Sequence, residues 1–218
     1  ENFDKALHEL VAETFKNHHR IIFDGNGYSD EWKEEAARRG LDTETSIPLI
    51  LDQYLSEETV NMFTRMNVLS LPELEARNEI KLETYTKKVQ IEARILGDIC
   101  LNHIVPVATR YQSQLLDNVC KVSQVFPAEQ AKTMNAANID LIEKIAESTA
   151  SITQHVYSLI GARKVANRLE TEREKAIAYH DNVAPLIEEI RTHVDKLETI
   201  IDDELWPLPK YREMLFIR

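Results

Sequence analysis

Ser70-Leu71-Pro72-Glu73-Leu74 is the stretch on which the fold turns. A serine followed three residues later by a glutamate is a capping box, in which the two side chains serve unpaired backbone N–H groups of a helix's first turn. Pro72 strengthens the signal, because a proline near a helix start gives up an N–H that has no partner there. A helix is therefore predicted from Leu71. Beyond it, Leu82, Tyr85, Val89, Leu96 and Ile99, together with Ile91, Ile95 and Val105, mark a broad apolar face. That face carries the helix to about Val125, with a kink expected where Pro106 removes a hydrogen bond. A second long helix is predicted after Pro127. Its Ile142, Ile145, Thr149, Ile152, Val156 and Leu159 step by three and four, a heptad seam, and Gly161 predicts a pause. A third is predicted from about Pro185, where Ile187, Ile190, Val194, Leu197 and Ile201 repeat the alternation until Trp206-Pro207-Leu208-Pro209 stops it. Connections this short permit only antiparallel return. The expected fold class is all-α, with short helices followed by long antiparallel helices in a bundle or helical hairpin.

Upstream of Ser70 the texture changes. Asp24-Gly25-Asn26-Gly27, Gly40 and Pro48 break the first seventy residues into short pieces. Phe3, Leu7, Leu10, Val11, Thr14 and Phe15 have the spacing of an amphipathic helix that ends before Gly25. Ser29 is a suitable N-cap for a helix over 30–39, with acids in its first turn, arginines in its last and Gly40 just beyond. Two further short helices are predicted over 47–55 and 57–66, the second capped by Ser56. The change of texture predicts two parts: 1–70, short helices around a glycine turn, and 71–218, a long-helix bundle with a proline and aromatic tail.

Composition bounds the function. Five glycines and seven prolines in 218 residues exclude collagen-like and linker-like chains, and a 43% apolar fraction is too high for a disordered polyelectrolyte. A net charge of −11 argues against nucleic acid as a partner, since phosphate affinity needs clustered Lys and Arg. No apolar run approaches the roughly 18 residues of a membrane span. Cys100 and Cys120, about 30 Å apart on one helix at 1.5 Å per residue, do not bridge each other there and suit a reducing, cytoplasmic setting. Glu1 in place of Met, with no signal-peptide pattern, predicts a fragment.

Motifs that carry chemistry are scarce. Asp24 to Glu35 approximates a calcium-loop register, but Tyr28 is a poor fifth ligand and Ser29 stands where the loop needs glycine, so a turn with an N-cap is the better account. Gly25-Asn26-Gly27 lacks the third glycine and the βαβ setting of a dinucleotide site. His18 and His19 point about 100° apart on a helix and, with His8, do not converge on a metal, whereas a histidine at a helix C-terminus suits the helix dipole. His103, His155 and His193 lie on or beside the apolar seams, where core or interface roles outweigh catalysis. Glu92, Arg94, Asp98 and Arg110 suit a solvated face or a charged network, and Glu198, Asp202, Asp203 and Glu204 a surface. No Glu-x-x-His exists to build a helical metal-carboxylate site. No catalytic, cofactor-binding or metal residue is therefore assigned. The tail from Trp206 to Phe216 is expected to pack, on its own domain or on a neighbouring subunit, because such surface is costly to leave wet.

Several blocks carry a resemblance. Ile21-Ile22-Phe23-Asp24-Gly25-Asn26-Gly27-Tyr28-Ser29-Asp30-Glu31-Trp32, with Glu35-Ala36 and Arg38-Arg39-Gly40-Leu41, resembles the late segment of type III glutamine synthetases, and Trp206-Pro207-Leu208-Pro209-Lys210-Tyr211 resembles their ending. Asn67-Val68-Leu69-Ser70-Leu71-Pro72-Glu73-Leu74, leading into Leu82-Glu83-Thr84-Tyr85, is similar to a segment near the C-terminus of glutamine synthetases generally. The resemblance implies a parent enzyme that uses ATP and divalent metal, magnesium or manganese, to join ammonia to glutamate through a γ-glutamyl phosphate. It also implies homo-oligomeric stacked rings with active sites between subunits. That family's metal, ATP and glutamate motifs lie N-terminal to the matched segment, so none transfers to a residue of this chain. The expected role is a C-terminal helical portion, inactive alone, that partners the N-terminal catalytic part and serves oligomer contacts or regulation. The alternative is a stand-alone acidic helical interaction module. The two differ over 1–70, where a severed domain should leave orphaned apolar surface.

Overall fold

A computed structural model of the chain describes residues 2–215, and every regular element among them is helical. The chain divides into two compact units, Glu1–Thr45 and Ser46–Arg218. The change of texture near Ser70 therefore lies inside the second unit, where the short helix Ile47–Leu51 packs against the long helix that follows.

The first unit holds α1 (Phe3–Asn17), a 3₁₀ turn (His19–Ile21) and α2 (Asp30–Arg38). Ser29 caps α2 by accepting from the Trp32 N–H at 3.3 Å. Past its end, Gly40 takes φ +74°, a left-handed conformation that glycine adopts freely. Gly40 and Leu41 donate back to the carbonyls of Ala37 and Ala36 at 3.0 and 2.9 Å, a Schellman motif. Arg39 ties α2 to the preceding chain through the carbonyls of Arg20 and Ile22, and the Phe23 and Trp32 rings meet at 4.7 Å. Phe23 lies over Gly25, where a Cβ would come within 2.5 Å of the ring.

The second unit opens with α3 (Ile47–Leu51), a 3₁₀ turn (Asp52–Leu55) and α4 (Glu57–Arg65), capped by Ser56 as expected. Asn67 then takes φ 53° and repeats the Schellman geometry, with Val68 donating to the Phe63 carbonyl at 3.0 Å. Helix α5 (Leu71–Ile99) starts at Ser70, whose N–H and hydroxyl both reach the Glu73 carboxylate, at 2.8 and 2.7 Å. It passes through a π turn, Cys100–Ile104, into α6 (Val105–Val125). After Pro127 comes α7 (Ala128–Ala166), then α8 (Glu172–Ala178), a second π turn (Tyr179–Val183), α9 (Ala184–Ile200) and a short α10 (Tyr211–Met214).

Several expectations are corrected. Gly161 causes no pause: it lies within α7, with open space where its Cβ would be. The third segment begins not near Pro185 but at Thr171, whose hydroxyl caps α8 while Glu174 answers the Thr171 N–H, a second capping box. Pro106 and Pro185 each sit second in a helix that leaves a π turn. A ring nitrogen without a hydrogen is accommodated where the backbone already bonds i to i−5. Ile91 and Ile95 are 57% and 54% exposed, so the apolar face of α5 is narrower than its residue types imply.

The main core joins Ala93, Cys100, Ile104 and Ala108 to Ile145, Ile152, Val156 and Leu159 of α7. Tyr179, Val183, Ile187, Ile190 and Leu197 close it from the third segment. A smaller cluster of Leu51, Leu82 and Ala176 joins α3, α5 and α8.

Candidate functional site

The residues flagged from sequence are placed as follows. Asp24 to Glu35 forms a turn and a cap: the Tyr28 N–H donates to Asn26 Oδ1, and Ser29 Oγ donates to the Asn26 carbonyl. Glu35 is taken by Arg38 and Arg39 at 2.5–2.7 Å, and those guanidiniums hold its carboxyl below the usual range. His8, His18, His19 and His103 are exposed. Glu92, Arg94, Asp98 and Arg110 are exposed too and form no ion pair with one another; Asp98 accepts from Asn102 Nδ2 at 2.6 Å. Asp203 binds Lys210 and Arg212 at 2.6 and 2.5 Å. Trp206 is buried in the main core, so the tail docks on its own domain there; Phe216 lies outside the described residues. Cys120 is exposed, while Cys100 is buried and burial raises its thiol to about 11.

What the fold assembles is chiefly long-range. His155 on α7 and His193 on α9 stack with centroids 6.2 Å apart, joined through Ser151. His155 Nδ1 lies 2.9 Å from the Ser151 carbonyl, which only accepts, so that nitrogen carries the proton. Ser151 Oγ is 2.8 Å from His193 Nε2, and His193 Nδ1 is buried without a partner. Burial, then Lys196 and the facing His155, lower the pKa of His193, against the opposite pull of Glu147 and Glu189. The trio is a hydrogen-bonded clamp between α7 and α9. Elsewhere Gln90 Nε2 donates to Tyr179 Oη and Asn167 Oδ1, and Tyr179 Oη donates to the same Asn167 oxygen at 2.8 Å, fastening α5, the end of α7 and the second π turn together. Arg173 binds Asp52 through two bonds of 2.7 Å and holds its carboxyl below the usual range. Sequence reasoning marked His155 and His193 singly and missed the rest. The one local signal was Ser151, a helical turn before His155.

Apolar exposure is uneven. Half of the large apolar side chains exposed among the described residues fall within residues 2–70, about a third of the chain. No residue of α1 is buried, and its Phe3 is 75% exposed. Ile47, Ile50, Met62, Met66 and Val68 continue the pattern in the second unit.

Glu35 and Asp203 are each neutralised by two cations and Asp52 by Arg173, and among the described residues no three His, Cys, Asp or Glu side chains gather closely enough to hold an ion. Among the described residues no helix is long and apolar enough to cross a membrane.

Comparison with known proteins supplies the wider context. The family profile "Glutamine synthetase C-terminal domain" matches residues 6–123, from α1 through almost all of α6. A "Glutamine synthetase" of Bacteroides fragilis (strain YCH46) is 44% identical over 215 residues, covering 99% of this chain and 30% of that protein. A "Type-3 glutamine synthetase" of Dictyostelium discoideum is 31% identical over 98% of the chain and 29% of its own length. A "Glutamine synthetase" of Butyrivibrio fibrisolvens is 28% identical over 97% of the chain and 30% of its own length. The chain spans under a third of the length of these curated relatives.

Proposed function

The chain belongs to the glutamine synthetase C-terminal domain family, and from that premise we propose that it is the C-terminal helical portion of a glutamine synthetase and has no catalytic machinery of its own. In this reading the parent enzyme joins ammonia to glutamate at the expense of ATP, with divalent metal, in the nitrogen metabolism of the cytoplasm. Residues 1–70 complete its catalytic domain, and residues 71–218 form a helical extension that serves contacts within a homo-oligomer or regulation.

The observation that carries the proposal is the apolar surface left uncovered in the first seventy residues. Phe3, Leu7, Leu10, Val11 and Phe15 repeat with helical spacing on α1, which costs stability in water and gains it once covered. A stand-alone interaction module has no use for the glycine turn and the short helices of this part. Relatives more than three times as long supply the protein that would cover it.

The test is to co-express the chain with the matching N-terminal portion of the Bacteroides fragilis relative. Glutamine formation from glutamate, ammonia and ATP is assayed alongside protease cleavage within residues 1–70. The expected result is activity only in the combined sample, with cleavage suppressed there. A chain that resists cleavage over 1–70 alone, and neither binds the N-terminal portion nor restores activity to it, overturns the proposal.

A further inference from the structure

The loop Asp24-Gly25-Asn26-Gly27 leads into α2 and holds the chain's one Asn-Gly step, every other asparagine preceding a residue that carries a Cβ. That step is chemically vulnerable. The backbone nitrogen after an asparagine is able to attack the side-chain amide carbon and close a five-membered imide, and glycine leaves that nitrogen uncrowded. The fold does not protect it. Asn26 and Gly27 are both exposed, a Cβ at Gly27 would meet nothing within 4 Å, and the Gly27 N–H makes no hydrogen bond among the described residues. The neighbouring Asp24-Gly25 step differs. The Phe23 ring lies over Gly25, 2.5 Å from where its Cβ would be, and an ionised carboxylate is a poor target for a nucleophile.

The loop's own hydrogen bonds favour the reaction and make its product consequential. The Tyr28 N–H donates to Asn26 Oδ1 at 3.0 Å, the oxygen on which negative charge gathers when the amide carbon is attacked, so a donor is already aimed at the developing oxyanion. Attack joins Gly27 N to Asn26 Cγ. The Gly27 proton passes to solvent base, the Cγ–Nδ2 bond breaks and ammonia leaves. Water then opens the imide. Cleavage at Cγ gives aspartate, whereas cleavage at the backbone carbonyl gives isoaspartate, whose main chain runs through the former side chain and is one carbon longer. Either route takes up one water and releases one ammonia. In the folded chain that backbone carbonyl accepts from the Ser29 N–H and hydroxyl at 3.1 and 2.9 Å, and Ser29 in turn caps α2 through the Trp32 N–H. Isoaspartate turns the carbonyl into a free carboxylate off the main chain, so the turn that seats the cap is lost.

We propose that Asn26 is a site of spontaneous deamidation, with water as the co-reactant, and that its isoaspartate product unseats the N-cap of α2. The test is to hold the 218-residue chain in mildly alkaline buffer and follow the peptide spanning residue 26 by mass spectrometry. An isoaspartate-specific methyltransferase tells the two products apart. Conversion of amide to acid is expected at residue 26 ahead of every other asparagine. Gly27→Ala, which meets open space at a φ outside the left-handed region, should fold as the wild type does. It should slow conversion by about tenfold or more, a barrier rise of about 1.4 kcal/mol or more. Amide exchange at Trp32 should quicken in the isoaspartate form but not in Asn26→Asp, which carries the same charge without the added carbon. The proposal is overturned if residue 26 stays an amide in the folded chain while the same peptide, cut free, deamidates. It is overturned equally if Gly27→Ala converts at the wild-type rate, or if Trp32 exchanges alike in the isoaspartate and Asn26→Asp forms.

Discussion

Single residues decide where helices end and which distant parts are held together. Gly40 and Asn67 close α2 and α4 with the same left-handed geometry. Glycine announces such a position, whereas asparagine, which adopts it at some cost, does so only weakly. The link between Asp52 and Arg173 leaves no local trace, because the partners are 121 residues apart. Its energetics are testable. Both side chains are more than a third exposed, so solvent screening limits the pair to about 0.5–1 kcal/mol, and Asp52→Asn should cost about that much at pH 7. Arg173 lowers the carboxyl in the folded chain from an unfolded value of about 3.9. The contribution is thus complete above that value and disappears as pH falls through the lowered one. Urea titrations should show wild type and variant separated at pH 5–7 and converging below about pH 4. A separation that persists to the lowest pH would assign the effect to shape rather than charge.

At the scale of elements, burial follows partners more than residue type. Ile152 lies in the α7 seam with no exposed surface, and Ile91 lies on α5 more than half exposed, although both sit in rows of apolar residues at helical spacing. Ile152→Ala should cost about 2–5 kcal/mol, the loss of transfer energy plus a cavity. Ile91→Ala should stay within about 0.5 kcal/mol. Midpoints of chemical denaturation decide this; equal costs would mean that the exposed face of α5 is packed in solution. The pair also shows what the sequence made legible. The seams over 145–159 and 187–201 were readable because they repeat, and the Ser70 box because a start signal is local. Burial on α5 was not, since a row of isoleucines does not say which of its members a neighbour covers. Pro106 announced an interruption without its kind, the wider π turn. Thr171 and Glu174 carried a start signal as plain as that of Ser70, but the seam from Ile187 drew the boundary too late. Of the assembled sites, the histidine clamp was half visible, and the Gln90, Asn167 and Tyr179 network was invisible, because no spacing links residues from three elements.

For the molecule as a whole, two long-range tendencies oppose each other. A net charge of −11 makes copies repel, while the apolar side chains exposed over residues 2–70 favour association. Salt separates them, because it shortens the Debye length from about 30 Å at 0.01 M to about 3 Å at 1 M and leaves apolar attraction in place. The isolated chain should therefore remain small at low salt and gain mass as salt rises, read by light scattering on a sizing column. Substituting Phe3 and Leu10 on α1 by serine should suppress that gain, since both lie on its exposed face. The opposite trend, mass falling with salt, would mean that copies meet through ion pairs and that the exposed apolar face plays no part. Salt-driven association suppressed by the α1 substitutions would identify that face as surface in need of a cover, the physical condition on which a role within a longer enzyme depends.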